Sequence, residues 1–167
     1  VVAVFVAPAW DITAVGGDRP LNFPLWGAMG SAAMVGLGLA LAQPDRRVLV
    51  VTGDGEMLMG IGALATIAVQ APANLAVAVI DNQHYGETGM QETHTGHGVD
   101  LAAMAAGAGI PLTATIRSEA ELEAAVPIIR GKRGPVFYVA KVKADAPPKI
   151  LPPREGERGE RRAHRDG

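Results

Sequence analysis

Short apolar runs alternate along this chain with longer segments whose apolar residues recur at helical spacing. Apolar runs of about four to eight residues, bounded by turn residues, are typical of buried strands. They predict strands over residues 1–6, 48–52, 75–81, 112–116 and 135–142. The longer segments predict helices over residues 27–42, 56–70, 101–106 and 118–129. Residues 11–24 and 82–98 are predicted to be loops, the second with four glycines and three histidines.

Capping residues and prolines mark the ends of these helices. Pro44 and Pro72 follow the first two helices and cannot continue them. Asp100 precedes the third helix as a candidate N-cap. At the start of the fourth helix, Ser118 and Glu121 have the spacing of a capping box.

The alternation of strands with helices predicts an α/β fold with a doubly wound, mostly parallel sheet. We expect one domain over residues 1–144. Residues 145–167 differ in character, with four prolines followed by mixed arginine and glutamate and few apolar residues. Such a composition predicts an extended or disordered tail.

The composition narrows the possible functions. The 167 residues are enough for one domain with a buried core, and 49% of them are apolar but only 4% aromatic. A net charge of −2 argues against a nucleic-acid binder. The absence of cysteine excludes disulfides and cysteine-ligated zinc. It also suits a reducing cytosol, so we expect a cytoplasmic protein.

Two long uncharged stretches, residues 25–42 and 57–80, could be mistaken for membrane spans. The first is dense in glycine and alanine, and Gln70, Pro72 and Asn74 interrupt the second. Buried α/β elements explain both stretches better than membrane insertion. The N-terminal VVAVFVAPAW lacks the basic start of a signal peptide. It enters a strand so abruptly that we expect further residues upstream.

The run VLVVTGDGEM, residues 48–57, places Asp54 between two glycines directly after a predicted strand. Ligands of an open parallel sheet bind beyond the carboxyl ends of its strands. Gly53 and Gly55 would let the backbone approach a ligand, and the amides of Gly55 and Glu56 would favour an anion. An aspartate in a tight turn, and a glutamate that merely begins a helix, explain the same residues without a ligand.

The common nucleotide-binding motifs are incomplete in this chain. A dinucleotide fingerprint that starts at Gly53 requires a third glycine at position 58, which is Leu58. No Gly-Lys-Ser/Thr phosphate loop is present in the sequence. A phosphate ligand would therefore need a metal ion in place of the missing lysine.

The next predicted strand ends in AVIDNQHYG, with Asp81 and Asn82 at its carboxyl end. Adjacent parallel strands would bring Asp54 and Asn82 to the same edge of the sheet. Carboxylate, amide and carbonyl oxygens suit magnesium, which completes its coordination with water and phosphate oxygens. Anion-binding amides beside such a metal imply a diphosphate ligand.

The sequence Gly53-Asp54-Gly55, followed after 26 residues by Asn82, resembles the thiamine-diphosphate motif. From about residue 16 to residue 142 the chain is similar to the diphosphate-binding domain of thiamine-dependent 2-oxo acid decarboxylases. The resemblance implies thiamine diphosphate and Mg²⁺ as cofactors. It implies that the side chains of Asp54 and Asn82 and the main-chain carbonyl of His84 bind Mg²⁺. It assigns cofactor contacts to Gly27, Met29, Gly53, Asp54, Gly55, Glu56, Asn82, His84 and Gly86.

The segment LWGAMG, residues 25–30, resembles the family stretch that holds the aminopyrimidine ring. By this resemblance the carbonyl of Gly27 accepts a hydrogen bond from the 4′-amino group. The side chain of Met29 would wedge beneath the cofactor and impose its bent, V-shaped form. The alternative for Met29 is a methionine of the core.

Within the family, GDRPLNFPLWGAMGSA, GLGLALAQPDRRVLVVTGDG and DNQHYGETGMQ are most similar to sulfopyruvate and phosphonopyruvate decarboxylases. In the two-chain versions a β subunit of this size carries only the diphosphate domain. The resemblance implies the β subunit of a carboxy-lyase that acts on a small 2-oxo acid. An acetolactate-synthase-like carboligase and a non-catalytic cofactor-binding or regulatory subunit are the alternatives.

His94 and His97 lie in the same predicted loop as His84, and His94-x-x-His97 could suggest zinc. No carboxylate or cysteine completes a convincing zinc pattern. Either histidine could face the substrate, and solvated loop polarity is the alternative for both.

The family activates its cofactor with a glutamate that belongs to a separate pyrimidine-binding domain. None of the glutamates of this chain has a matching context. The resemblance therefore implies a pyrimidine-binding α subunit as partner, in an α₂β₂ assembly, and an isolated chain that is inactive.

Overall fold

The computed structural model describes residues 2–5, 19–25, 27–131 and 133–145. A six-stranded sheet, in which all neighbouring strands are parallel, forms the centre of the fold in the order β2-β1-β3-β4-β8-β7. Its strands are β1 (Val2–Phe5), β2 (Asn22–Pro24), β3 (Val48–Gly53), β4 (Leu75–Asp81), β7 (Leu112–Ile116) and β8 (Val136–Lys141). The strands β5 (His84–Tyr85) and β6 (Gln91–Glu92) form a separate antiparallel pair.

Five α-helices are present in the described part of the chain. They are α1 (Ala32–Ala42), α2 (Asp54–Met59), α3 (Ala63–Gln70), α4 (Leu101–Gly107) and α5 (Glu119–Arg130). A short 3₁₀ helix spans His94–His97. None of the described helices has the length and apolar character that crossing a bilayer requires.

The central strands bury both of their faces, as parallel sheets require. Along β8, Phe137 and Val139 belong to a large core with α1, α3 and α4 on one face. Val136 and Tyr138 alternate with them and belong to a smaller core beneath α5 on the other face. Helices on both faces of a parallel sheet confirm the predicted doubly wound α/β fold.

The amino-terminal edge of the sheet is held by two buried polar side chains. The Arg47 guanidinium donates hydrogen bonds from Nε to the Ile129 carbonyl at 2.7 Å and from Nη1 to the Ala73 carbonyl at 3.1 Å. Burial lowers the pKa of Arg47 because water no longer solvates its charge. Asn74 Nδ2 lies 2.8 Å from the Arg46 carbonyl. These contacts lie at the edge opposite to the Gly53-Asp54-Gly55 motif.

The predicted helix over residues 27–42 starts later, at Ala32. Gly27 and Gly30 have positive φ angles of 65° and 86°, a conformation that glycine adopts without strain and that interrupts a right-handed helix. The predicted helix over residues 56–70 is two helices, α2 and α3. They separate at Gly60, where the backbones of Gly30 and Gly60 meet: a Cβ on Gly60 would lie 2.0 Å from the Gly30 carbonyl oxygen.

The predicted loops contain more structure than their composition indicated. Residues 22–24 form the edge strand β2, and residues 82–98 contain β5, β6 and the 3₁₀ helix. Both predicted caps are present: Asp100 accepts from the Ala103 amide at 3.0 Å and Ser118 from the Glu121 amide at 3.3 Å. The Glu121 carboxylate accepts from the amide of Arg117, one residue before the partner of a capping box. Trp26 and the predicted tail beyond residue 145 lie outside the described residues.

Helix α1 packs closely on β3 because Gly36 has no side chain. A Cβ at Gly36 would lie 2.1 Å from Cγ2 of Val50, a fully buried residue. Gly38, two residues later on the same helix, is exposed and has no neighbour within 4 Å of such a Cβ. The two glycines therefore differ in packing although they share a helix.

We predict that Gly36→Ala lowers the free energy of unfolding by about 1–3 kcal/mol through overpacking against Val50. The matched substitution Gly38→Ala should raise it by up to about 1 kcal/mol, because alanine is the better helix former. Urea denaturation of both variants checks the pair. Equal effects of the two substitutions would contradict the packing of α1 on β3.

Candidate functional site

The functional site predicted from the sequence lies at the carboxyl edge of the sheet, where β3 and β4 end. These strands pair in parallel from Val48 with Leu75 to Gly53 with Ile80. Asp54, which follows Gly53, is therefore level with Asp81, which follows Ile80. The register brings the two predicted motifs to one edge of the sheet.

Asp54 is the first residue of α2, and it is only 1% exposed. The sequence left open that it occupies a tight turn, but the structure places it in a helix and among buried groups. The Thr93 hydroxyl donates to its Oδ2, and the Thr95 hydroxyl oxygen lies 3.0 Å from the same oxygen. Asp54 is thus a fixed, buried carboxylate.

Asp81 is also 1% exposed and is the centre of a second set of contacts. Its Oδ2 forms an ion pair with Lys141 Nζ at 2.5 Å. Its Oδ1 accepts from the Thr95 hydroxyl at 2.8 Å and from the Gln83 amide at 3.1 Å. Thr95 therefore lies within hydrogen-bonding distance of both buried carboxylates.

The turn after β4 presents Asn82, His84 and Gly86. Asn82 Oδ1 accepts from the His84 amide at 2.9 Å, and His84 Nδ1 lies 2.9 Å from the Asn82 carbonyl. A Cβ on Gly86 would lie 3.8 Å from Asn82 Nδ2. Gln83 has a positive φ of 64°, and its carbonyl accepts from the Thr93 amide at 2.8 Å. The segment around Thr93 therefore holds this turn in a conformation that a non-glycine residue rarely adopts.

Glu56 is buried and fully engaged. Its Oε1 accepts from the Ala32 amide at 3.0 Å, and its Oε2 accepts from the Thr52 hydroxyl. The N-cap residue of α1, Ser31, donates its hydroxyl to the Ala28 carbonyl and does not cap the helix. Glu56 on α2 supplies the missing cap. Glu56 is therefore more than a glutamate that begins a helix.

Gly55 lies beneath the ring of Tyr85. A Cβ on Gly55 would lie 2.3 Å from Cε1 and 2.7 Å from Cδ1 of that ring. The sequence predicted that Gly53 and Gly55 lack side chains so that the backbone can approach a ligand. For Gly55 the structure adds a second reason, because the hairpin residue Tyr85 occupies the space.

The loop that contains Gly27 and Met29 is joined to α2. The Glu56 hydrogen bond to Ala32 and the close approach of Gly30 to Gly60 hold the loop against both ends of that helix. Gly27 is exposed and Met29 is 42% exposed, so Met29 is not a methionine of the core. Met59, whose Cβ would lie 3.3 Å from a Cβ on the neighbouring Gly30, is 58% exposed.

The remaining histidines face outward. His94 is exposed although it lies between the buried Thr93 and Thr95. His97 Nε2 lies 3.3 Å from the Glu92 carboxylate, and both side chains are more than half exposed. Among the described residues, no group of three or more histidine, cysteine or acidic side chains is arranged to hold a metal ion.

The oxygen atoms at this edge fit a hard cation better than zinc. Both threonines contact Oδ2 of Asp54, which fixes how the carboxylate presents Oδ1. An amide oxygen such as Oδ1 of Asn82 has a second lone pair beyond the one used by the His84 amide. Carboxylate, amide and carbonyl oxygens are magnesium ligands. Asp54, Asn82 and the carbonyl of His84 are therefore a chemically suitable donor set.

Comparison with known proteins gives an independent result. The sequence model of the family described as "Thiamine pyrophosphate enzyme, C-terminal TPP binding domain" matches residues 8–140. The β subunit of sulfopyruvate decarboxylase from Methanocaldococcus jannaschii is 46% identical over 106 residues, or 64% of this chain and 55% of that relative. Phosphonopyruvate decarboxylase from Streptomyces hygroscopicus is 52% identical over 92 residues, or 55% of this chain and 22% of that relative.

A solved structure agrees with the fold. The X-ray structure of a protein from Mycobacterium smegmatis, described as a thiamin diphosphate-dependent enzyme, superposes with a TM-score of 0.68 at 26% identity. The match covers 86% of this chain and 29% of that one. The chain therefore spans about half of the M. jannaschii relative and under a third of the M. smegmatis protein.

Sequence reasoning missed Thr93, Thr95, Tyr85 and Lys141. Two threonines that alternate with an exposed histidine in a polar loop carry no periodic signal. Lys141 ends a strand, where a lysine is ordinarily solvated. Only the pairing of Lys141 with Asp81 across β4 and β8 could have suggested an ion pair, and that register was not predictable.

We predict that Gly55→Ala lowers the free energy of unfolding by about 1–3 kcal/mol, because its Cβ overlaps the Tyr85 ring. In a Tyr85→Ala background the same substitution should cost about 1 kcal/mol less, since the overlap is gone. Denaturation of the four proteins of this double-mutant cycle measures the coupling. Gly62→Ala, which has open space around its Cβ, is the control. Additive effects would separate Gly55 from Tyr85.

Proposed function

We propose a function from the premise that this chain belongs to the thiamine pyrophosphate enzymes, as their C-terminal TPP binding domain. It is the diphosphate-binding β subunit of a decarboxylase that requires thiamine diphosphate and Mg²⁺. The substrate is a small 2-oxo acid such as sulfopyruvate or phosphonopyruvate. The decarboxylases similar to this chain support that choice over a carboligase and over a non-catalytic subunit.

The observation that carries the proposal is the meeting of Asp54 with the Asp81–His84 turn at the carboxyl edge of the sheet. Asp54 and Asn82, with the carbonyl of His84, would hold Mg²⁺. The amides of Gly55 and Glu56 at the start of α2, together with Gly53 and Gly86, would contact the diphosphate. Thiamine diphosphate, when bound, supplies the carbanion that attacks the 2-oxo group and the ring that accepts the electron pair.

Gly27 and Met29 would hold the other end of the cofactor. The exposed backbone of Gly27 offers its carbonyl to the aminopyrimidine, and the exposed side chain of Met29 offers an apolar support beneath it. Glu56 ties this loop to α2, so the two ends of the site keep their spacing. Positioning of this kind lowers the barrier by holding a reactive geometry.

A pyrimidine-binding partner completes the proposal. Among the described glutamates only Glu56 is buried, and its carboxylate is used by Ala32 and Thr52. We therefore propose that the activating glutamate belongs to a partner. Met29, Met34 and Met59 are each more than 40% exposed near this edge, which suits contact with another domain. We propose an α₂β₂ assembly, and His94 and His97 as candidate substrate contacts in it.

We predict that Asp54→Asn abolishes Mg²⁺-dependent binding of thiamine diphosphate while the chain remains folded. The loss should be at least on the order of 100-fold, since even the outer partners of metal ligands typically carry 10–100-fold. Calorimetric titration in the presence and absence of Mg²⁺ measures it. Asp100→Asn, which removes an exposed carboxylate but keeps a good N-cap, is the matched control. Unchanged cofactor affinity in Asp54→Asn would refute the site.

Met29→Ala tests the other end of the cofactor. It should leave the affinity of the complex for thiamine diphosphate nearly unchanged, because the diphosphate end anchors the ligand. Turnover by the complex should fall much further than affinity, since the support for the bent form is lost. Wild-type turnover would remove Met29 from the proposal.

We predict that the 167-residue chain alone binds thiamine diphosphate weakly and does not decarboxylate any 2-oxo acid. Addition of a pyrimidine-binding α subunit should restore decarboxylation, and replacement of one glutamate of that subunit should abolish it again. Carbon dioxide release from sulfopyruvate, phosphonopyruvate and pyruvate is the measurement. Robust turnover by the chain alone would contradict the division of roles.

A further inference from the structure

A continuous chain of polar contacts runs from β8 to the start of α2. Lys141, whose side chain is 23% exposed, forms an ion pair with the buried Asp81. Asp81 accepts from the Thr95 hydroxyl at 2.8 Å. Thr95 lies 3.0 Å from Oδ2 of Asp54, to which Thr93 also donates. We refer to Lys141, Asp81, Thr95, Thr93 and Asp54 as the polar chain.

We propose that Thr93 and Thr95 are positioning residues for the cation ligand Asp54, and that Lys141, through Asp81, sets how tightly the site holds its cation. This inference rests on the proposed function of the same site. Thr93, Thr95 and Lys141 are not metal ligands in that proposal. They act on the cation through Asp54 and through the charge of Asp81.

The first step of the argument is the orientation of Asp54. Both threonine hydroxyls meet the same carboxylate oxygen, Oδ2, so they fix the rotation of the carboxylate about its terminal bond. Oδ1 is thereby held in one direction. Outer-shell hydrogen bonds that orient a ligand in this way typically change metal affinity about 10–100-fold when they are removed.

The second step is a count of protons. A threonine hydroxyl has one proton to donate. The Thr95 oxygen lies within 3.0 Å of a carboxylate oxygen of Asp54 and of one of Asp81, and 2.9 Å from the Thr93 hydroxyl. Thr95 can donate to only one of the two carboxylates at a time. Thr95 therefore couples the two carboxylates, because both compete for the same proton.

The third step is the charge on Lys141. Paired with Lys141, Asp81 adds little net negative charge to the site, so Asp54 alone supplies the full charge that attracts a cation. Removal of Lys141 would leave a second buried carboxylate one hydroxyl away from the first. The attraction of a divalent cation to the site should then increase, because the dielectric screening is weak around buried groups.

Substitutions at Thr95 and at Lys141 are therefore expected to have opposite effects. Loss of the Thr95 hydroxyl should weaken the binding of a divalent cation, whereas loss of the Lys141 charge should strengthen it. A purely structural role for the polar chain predicts weaker binding in both cases, because each variant loosens the same loop.

The experiment measures Mn²⁺ binding to the full chain in the presence of excess thiamine diphosphate. Enhancement of water-proton relaxation reports Mn²⁺ on the protein and not Mn²⁺ on the free cofactor. The variants are Thr95→Val, Thr95→Ser and Lys141→Met. The control is Thr115→Val, the same substitution at a half-buried threonine on β7.

We expect Mn²⁺ affinity to fall roughly tenfold or more in Thr95→Val and to stay within about twofold in Thr95→Ser, which keeps the hydroxyl. It should rise roughly tenfold in Lys141→Met and remain unchanged in Thr115→Val. Wild-type affinity in Thr95→Val, or weaker binding in Lys141→Met, would overturn the inference. If Thr95→Val does not fold, the sign of the Lys141→Met effect decides. A wild-type chain that binds no Mn²⁺ at saturating thiamine diphosphate, alone or together with its α subunit, would overturn the proposed function as well.

Discussion

Two carboxylates are buried side by side because β3 and β4 run parallel and in register. Asp54 and Asp81 are each 1% exposed, and one hydroxyl oxygen reaches both. Like charges this close repel strongly away from water, so each must be compensated by its surroundings. Lys141 compensates Asp81, the two threonines hold Asp54, and the cation of the family would complete the balance. The contacts of Asp54 and Asp81 at this edge of the sheet meet that electrostatic requirement.

Glu56 connects this edge to the loop on its other side. Its carboxylate caps α1 from α2 and accepts from Thr52 of β3. The loop of Gly27 and Met29 precedes α1 directly, so its position depends on the same hydrogen bond. The start of α2 and the loop of Gly27 and Met29, which are proposed for opposite ends of the cofactor, are therefore joined and are not independent.

The fold class was predictable from the sequence because its signals are local and repetitive. Apolar strands, proline stops and the caps at Asp100 and Ser118 each act within a few residues, and the structure contains them all. The errors arose where distant segments meet. Helix α1 starts late because Gly27 and Gly30 have positive φ angles. Helix α2 ends at Gly60, where the backbones of Gly30 and Gly60 meet, a contact that neither stretch reveals by itself.

The residues of the candidate site also divide into those that local signals predict and those that depend on contacts between distant segments. Asp54 and Asn82 follow strands and could be found from the rule that parallel strands end at a common edge. Thr93 and Thr95 lie in a loop without periodicity, and Lys141 depends on the pairing of β4 with β8. The proposed ligands could thus be predicted from the sequence, whereas the groups that hold them could be identified only from the structure.

The contact between Gly30 and Gly60 restricts how this protein can be altered. A single methyl group at Gly60 would fall 2.0 Å from the Gly30 carbonyl oxygen, and no side-chain rotation can relieve an overlap with backbone. The two positions can therefore diverge only together with a shift of the whole loop against α2. In a directed-evolution library built one substitution at a time, this pair would be inaccessible, and variation in cofactor-loop geometry would have to enter elsewhere along residues 27–31.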